Sequence, residues 1–344
     1  MLATVVATSG STYRRAGARM LLTEGGWAAG SISGGCLEGD VVGSAWERTV
    51  NGPALVTYDS TSDQDIVWGF GLGCNGVVQV LMERLPAGGG FLAFLAKCSA
   101  DRTPVRSATV VSEGDRLGER WTDDLPFAWA EVFGDDRAEG ARIREWNGLT
   151  LLLEAVLPPR PLVIYGAGHD AVPLVAAAKA VGWHVTVVDG RAAYAVRERF
   201  PEADRVLVAP PYEDPAKLGI DSRTAVVVMT HHYLNDLDVL RKVLPSPAEY
   251  IGLLGPRVRT ERLLGEMKDA PPTPYQLARL HAPIGLDLGA EGPDEIALSI
   301  VAEIQAFFAR RPAGHLNGRI APLHPEAHET LARGTVESPA CARN

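Results

Sequence analysis

The chain has 344 residues, 46% of them hydrophobic and 22% charged, which indicates a globular protein long enough for two domains. Its net charge of −9 excludes the function classes that need a concentrated basic surface, so no nucleic-acid partner is predicted. No apolar run reaches the roughly 20 residues of a membrane helix, which argues against a membrane protein. Four irregularly spaced cysteines do not suggest a disulfide framework, and no signal-peptide pattern is visible. A cytoplasmic location is therefore predicted.

Short β-prone runs dominate residues 1–157, which are predicted to form an α+β domain. The predicted strands are Ala3–Thr8, Arg19–Thr23, Trp27–Ser31, Ala54–Tyr58, Val77–Glu83, Ser107–Ser112 and Leu149–Leu157. Glu24-Gly25-Gly26 predicts a hairpin between the second and third of these strands. One helix is expected to follow Cys36 and to stop at Asn51-Gly52, and another is expected around Phe91–Lys97.

Two glycine-rich loops in this region each carry one cysteine: Gly34-Gly35-Cys36 and Gly71-Leu72-Gly73-Cys74. Glycine lets backbone N–H groups approach a bulky or phosphorylated ligand, and a thiol in such a loop is reachable. Cys36 also precedes a predicted helix, and the N-terminal end of a helix favours a reactive thiolate. Two cysteines alone cannot complete a tetrahedral zinc site. The pair therefore indicates a site for a sulfur-loving ligand.

Three prolines within residues 158–161 predict a linker between domains. Beyond it, over residues 162–311, apolar strands alternate with helices, which predicts a Rossmann-like parallel sheet with helices on both faces. The predicted strands are Leu162–Tyr165, Val185–Val188, Arg205–Val208, Ala225–Met229 and Ile251–Leu254. Helices are expected over residues 169–181 and over Pro293–Phe308, and residues 312–344 are expected to form a flexible tail.

A dinucleotide-type fingerprint opens this second region. Gly166-Ala167-Gly168-His169 lies between a predicted strand and a helix, and Asp189 ends the next strand, where an acid binds ribose hydroxyls. Asp170, however, would repel a phosphate, so a Rossmann fold that no longer binds NAD is an equal alternative. Arg191 could instead hold an extra phosphate.

Thr230-His231-His232 follows the strand ending at Met229, at the carboxyl edge of the sheet where open α/β folds bind ligands. The cluster lacks a third metal ligand at a fixed spacing. His231 is therefore a candidate for hydrogen bonding to a ligand, with a polar surface turn as the alternative.

Seven segments, in order from the first residues to about residue 305, carry a recognisable combination of motifs. They are Ala3–Met20, Gly30–Asp40, Val67–Gly76, Leu162–Arg191, Thr230–Leu240, Tyr250–Leu264 and His281–Glu303. Together they resemble the XdhC/CoxI family, accessory factors of xanthine dehydrogenase and related molybdenum hydroxylases. The resemblance implies a two-domain protein that binds molybdenum cofactor, assists its sulfuration and delivers it to a hydroxylase.

The resemblance also implies roles for individual residues. Cys36 and Cys74 would contact the sulfur-ligated molybdenum of molybdopterin, in its plain or its dinucleotide form. Arg14 or Arg15, Arg19 and the backbone of Ser33-Gly34-Gly35 would hold its phosphate, although solvated loop arginines are an equal alternative.

Three functions compete at this point. The first is a cofactor-insertion chaperone rather than an enzyme with turnover, whose partners would be a cysteine desulfurase-type sulfur donor and the large subunit of the hydroxylase. The second is an NAD(P)-dependent oxidoreductase with a redox-active Cys36. The third is a scaffold whose nucleotide site is vestigial. A homodimer is expected as the commonest soluble oligomer.

Overall fold

The computed structural model describes residues 1–59, 76–86, 90–122, 125–133 and 140–318. The chain divides between Pro158 and Pro159 into two compact units, named here the N-terminal and the C-terminal unit. Cys74, the glycines just before it and most of the predicted tail lie outside the described residues. Within the described ranges, none of the helices combines the length and the apolarity needed to cross a bilayer.

The N-terminal unit begins with a five-stranded antiparallel sheet in the order β3-β2-β1-β5-β4. Its strands are β1 (Leu2–Gly10), β2 (Arg19–Thr23), β3 (Gly26–Gly30), β4 (Ala54–Asp59) and β5 (Gly76–Glu83). The hairpin predicted at Glu24-Gly25-Gly26 is confirmed by the pairing of β2 with β3. Helix α1 (Glu38–Arg48) follows β3, as the sequence predicted.

A second antiparallel sheet of this unit has the order β7-β6-β9-β8. Its strands are β6 (Val105–Val110), β7 (Arg120–Trp121), β8 (Gly140–Trp146) and β9 (Leu149–Val156), and its helices are α2 (Gly90–Asp101) and α3 (Trp129–Phe133). Successive residues of β5 contribute to different cores. Val80 and Met82 belong to the core that contains Val41 of α1, whereas Leu81 belongs to the core that contains Leu152 of the second sheet.

The C-terminal unit contains a six-stranded parallel sheet in the order β12-β11-β10-β13-β14-β15. The strands are β10 (Pro161–Tyr165), β11 (His184–Asp189), β12 (Arg205–Val208), β13 (Ala225–Val228), β14 (Tyr250–Leu253) and β15 (Leu280–His281). The helices are α4 (Ala171–Ala180), α5 (Tyr233–Val243), α6 (Arg257–Gly265), α7 (Pro274–Ala278) and α8 (Pro293–Phe308).

Counted from β10, this strand order is 3-2-1-4-5-6, the order of a doubly wound dinucleotide-binding sheet. One core packs α4 and α8 against Leu162 and Ile164, and a second packs α5 and α6 against Val163 and Tyr165. Helices therefore cover both faces, and the predicted Rossmann-like fold class is confirmed. The strand order reverses between β10 and β13, which places the crevice of this fold at the carboxyl ends of those two strands.

Candidate functional site

Cys36 lies in the loop between β3 and α1, with an exposed, free thiol. Helix α1 begins two residues later at Glu38. The preceding glycine, Gly35, adopts a φ of +115° with open space around the position of a Cβ, so the backbone turn itself requires glycine there. The thiol therefore sits on a sharply turned loop at the beginning of a helix.

The carboxylate of Glu38 organises this loop from within. It accepts hydrogen bonds from the backbone N–H groups of Ser33 at 2.8 Å and Gly35 at 3.1 Å, and from the Ser33 hydroxyl. The Ser33 oxygen in turn accepts from Leu37 N–H at 3.1 Å. Burial raises the pKa of the Glu38 carboxyl, but the hydrogen bonds from Ser33 and Ile32 outweigh it and leave the pKa below its usual value. Part of the backbone expected to bind phosphate is thus already bonded to Glu38.

An aromatic ring and a cation flank the same loop. The Tyr13 ring lies 3.4 Å from where a Cβ on Gly34 would stand, and Tyr13 is 65% exposed. The Arg14 guanidinium stacks 5.6 Å from the centre of that ring and donates to the Ser31 hydroxyl at 2.8 Å. Arg14 and Arg15 are both exposed. Beside the Cys36 loop, Tyr13 could therefore stack on a flat ligand, and Arg14 could bind an anion.

Arg19, by contrast, is committed to a carboxylate of the second sheet. Its Nη2 donates to both oxygens of Glu154, at 2.6 and 2.7 Å, and its Nη1 donates to Gly17 O at 3.0 Å. Glu154 is almost wholly buried, with 3% of its side chain exposed. The guanidinium expected to bind phosphate therefore neutralises a buried acid. No local pattern indicates this partner, which lies 135 residues away along the chain.

In the C-terminal unit, the glycine loop after β10 passes very close to the end of β13. Gly166 has a φ of +119°, and a Cβ there would lie 2.4 Å from the Met229 carbonyl oxygen. Its N–H donates to Val188 O at 2.8 Å, which ties the loop to β11 as well. The structure thus brings the predicted residues Gly166, Gly168, Asp189 and His231 to one edge of the sheet, and His169 is exposed beside them.

Asp189, at the end of β11, is fully engaged by the protein itself. One carboxylate oxygen accepts from Ala167 N–H at 2.8 Å, and the other accepts from Arg191 N–H at 2.8 Å. The Arg191 side chain adds two more hydrogen bonds, at 2.9 and 2.7 Å. Burial raises the pKa of Asp189, but the bonds from Arg191 and Ala167 overcome it and lower the pKa. The acid expected to bind ribose hydroxyls instead fixes the glycine loop.

His231 pairs with Asp170, a contact that the sequence did not suggest. Its Nε2 lies 2.6 Å from Asp170 Oδ2, and its ring passes 3.6 Å from the Cβ position of Gly168. Among the described residues, no group of three or more His, Cys, Asp or Glu side chains is placed to hold a metal ion. His231 Nε2 is thus paired with Asp170, and the hydrogen bond from His231 to a ligand stays a prediction.

Comparison with known proteins identifies the chain. Residues 162–304 match the XdhC Rossmann domain, and residues 1–59 match the XdhC and CoxI family. The chain is 34% identical to a probable xanthine dehydrogenase subunit of Bacillus subtilis, with 88% of this chain and 92% of the relative covered. It is 26% identical to the molybdenum cofactor insertion chaperone PaoD of Escherichia coli, with 88% and 82% covered.

A crystal structure named as a xanthine dehydrogenase from Bacillus halodurans is also similar. It superposes with a TM-score of 0.73 at 32% identity and covers 92% of this chain and 93% of that one. The Bacillus subtilis relative covers 88% of this chain and the Bacillus halodurans structure covers 92% of it, and the two matched domains lie within residues 1–59 and 162–304. The protein therefore belongs to the XdhC and CoxI family.

Proposed function

We propose that this chain is an accessory factor of molybdenum cofactor maturation. It binds the cofactor, supports its sulfuration and delivers it to a molybdenum hydroxylase of the xanthine dehydrogenase type. Two relatives support the proposal by name: one is a molybdenum cofactor insertion chaperone, and the other is a probable component of xanthine dehydrogenase. Both are covered over most of their length.

The exposed thiol of Cys36 is the observation that carries the proposal. Thiolate is a soft ligand and suits a molybdenum centre that is itself held by sulfur. The loop conformation is fixed by Glu38 and Ser33, so the thiol is presented on an ordered turn. Cys74 is proposed as a second sulfur contact, although it lies outside the described residues.

The residues around Cys36 suit the pterin and the phosphate of the cofactor. Tyr13 offers an exposed ring on which a pterin can stack, and Arg14 offers an exposed guanidinium for its phosphate. Arg14 suits the phosphate role better than Arg19 does, because the Arg19 guanidinium already pairs with Glu154. Gly34 permits the close approach of a ligand to the backbone, and Gly35 permits the turn of the loop.

Co-purification tests the proposal. The protein would be produced in cells that make molybdenum cofactor and purified without oxygen, and its molybdenum and oxidised fluorescent pterin would be measured per chain. Wild type should carry both, and Cys36→Ala should carry at least about tenfold less, which corresponds to a loss of at least about 1.4 kcal/mol of binding free energy.

Cys98→Ala is the matched control, because Cys98 is a second cysteine of the same unit and is buried in α2. This control should retain the pterin of the wild type. Equal pterin in Cys36→Ala and wild type would contradict the proposed cofactor contact.

The partners follow from the same proposal. The large subunit of a hydroxylase would receive the cofactor, and a cysteine desulfurase-type donor would supply the sulfur, in the cytoplasm. We also propose a homodimer, which light scattering on the purified protein would test directly. A monomeric mass at micromolar concentration would contradict that part.

A further inference from the structure

Asp170 lies between the second glycine of the Gly166-Ala167-Gly168 loop and the first turn of α4 in the C-terminal unit. Its Oδ1 lies 2.6 Å from where a Cβ on Gly168 would stand, so the carboxylate covers the face of that glycine. Asp170 is also the N-cap residue of α4, yet its side chain makes no capping hydrogen bond. In dinucleotide-binding folds, the second glycine and the helix N-terminus are the two elements that approach the pyrophosphate.

His231 holds this carboxylate from the opposite side of the crevice. It comes from the connection between β13 and α5 and adopts a left-handed backbone with a φ of +57°. The connection is itself anchored, because the buried Asp236 accepts from the Thr230 hydroxyl at 2.5 Å and pairs with Arg259. Both members of the Asp170–His231 pair are therefore positioned by the fold.

The other binding elements of the crevice are satisfied internally as well. The Ala167 N–H donates to Asp189, and the Ala167 carbonyl oxygen accepts from Arg199 Nη1 at 2.7 Å. Both oxygens of Asp189 are used by Ala167 and Arg191. A dinucleotide would have to displace these bonds and also place its phosphates against the Asp170 carboxylate. Like charges in contact in a partly desolvated site oppose binding strongly.

We infer that Asp170 is a specificity-determining residue that excludes the pyrophosphate of NAD(P) from this crevice, with His231 as its positioning partner. The inference concerns the C-terminal unit alone and does not depend on the proposed cofactor contact at Cys36. It argues against the NAD(P)-dependent oxidoreductase as a function of the wild-type chain.

Gain of binding tests the inference. NADH fluorescence would be titrated with wild type, Asp170→Ser and Asp170→Asn at one fixed ionic strength. Asp170→Ser removes the charge and shortens the side chain while leaving a residue that caps helices well, so its Kd for NADH should fall at least about tenfold below that of wild type. Asp170→Asn removes the charge alone and should show a smaller gain.

Two further variants separate the causes. Asp294→Ser removes an exposed acid from the first turn of α8 in the same unit and should leave the wild-type Kd unchanged. His231→Ala keeps the charge of Asp170 but releases the carboxylate from its position, so its gain in affinity should be smaller than that of Asp170→Ser. The inference is overturned if wild type binds NADH as tightly as Asp170→Ser, if neither folded Asp170 variant gains affinity, or if only His231→Ala does.

Discussion

Replacement of Arg19 by methionine should destabilise the N-terminal unit by about 3–5 kcal/mol, the range observed when one partner of a buried ion pair is removed. The Glu154 carboxylate has 3% of its side chain exposed and takes both of its short ion-pair contacts from Arg19. A further side-chain neighbour, the Ser107 hydroxyl, is 3.5 Å away. Methionine would retain apolar contact with Phe91, whose ring centre lies 5.1 Å from the guanidinium carbon. The loss should therefore come mainly from the unpaired buried charge.

Urea denaturation followed by tryptophan fluorescence and circular dichroism would measure this loss. Arg14→Met is the matched control, because Arg14 is exposed, and its free energy of unfolding should stay within about 0.5 kcal/mol of wild type. The double variant Arg19→Met with Glu154→Leu should recover much of the stability, since an apolar pair leaves no unpaired charge. A cost below about 1 kcal/mol for Arg19→Met would refute the reasoning and would return Arg19 to the candidate phosphate ligands.

Two further predictions concern the fold. The Glu303 carboxylate accepts a hydrogen bond from the Tyr250 hydroxyl at 2.6 Å and pairs with His281. Burial raises the pKa of Glu303, but these hydrogen bonds outweigh burial and bring the pKa below its usual value. The contribution of Glu303 to the free energy of unfolding should be complete above the pKa of the unfolded state, about 4.3, and should be lost as the pH falls through the lower pKa of the folded state. Glu303→Gln should therefore make the free energy of unfolding less dependent on pH in the acid range. Gly35→Ala should cost about 1–3 kcal/mol from backbone strain alone, whereas Gly166→Ala should cost more in urea denaturation because its Cβ also meets a backbone oxygen.

The C-terminal unit could be predicted from sequence because its strands are near-continuous apolar runs, a pattern typical of a covered parallel sheet. Pro293–Phe308 matched its helix to the residue, since Gly292, a proline at the first turn and two acids define its start. The helix predicted over residues 169–181 begins later, at Ala171, because His169 and Asp170 lie in the turn that precedes it.

Strand β8 was not predicted from the sequence, although the Asn147-Gly148 turn that follows it has the sequence of a hairpin turn. Asn147-Gly148 adopts φ values of +47° and +77°, as expected for a two-residue hairpin between β8 and β9. The strand itself, Gly140–Trp146, carries three charged residues and lies at the edge of its sheet, where charged side chains are common. The alternation of apolar and polar residues in β8 was therefore too weak to distinguish the strand from a loop.

The candidate sites were only partly predictable, because their decisive contacts join distant parts of the chain. Asp170 meets His231 across 61 residues, and no local pattern shows such a pairing. The expectation that Asp170 would repel phosphate came from its residue type alone, and the structure adds the partner and the position. The position of Cys36 before a helix could be predicted from the sequence. The hydrogen bonds of Glu38 within the loop could not, because they depend on the turn at Gly35.

Transfer of cofactor tests the proposed function most directly. Anaerobically purified wild type carrying molybdenum cofactor would be mixed with a cofactor-free molybdenum hydroxylase, and hydroxylase activity and the pterin remaining on each protein would be followed together. Activity should rise as pterin leaves this chain, and Cys36→Ala prepared in the same way should restore at least about tenfold less activity than Cys98→Ala. Equal restoration by the two variants, or pterin that stays on the wild-type chain while the hydroxylase remains inactive, would contradict delivery through Cys36.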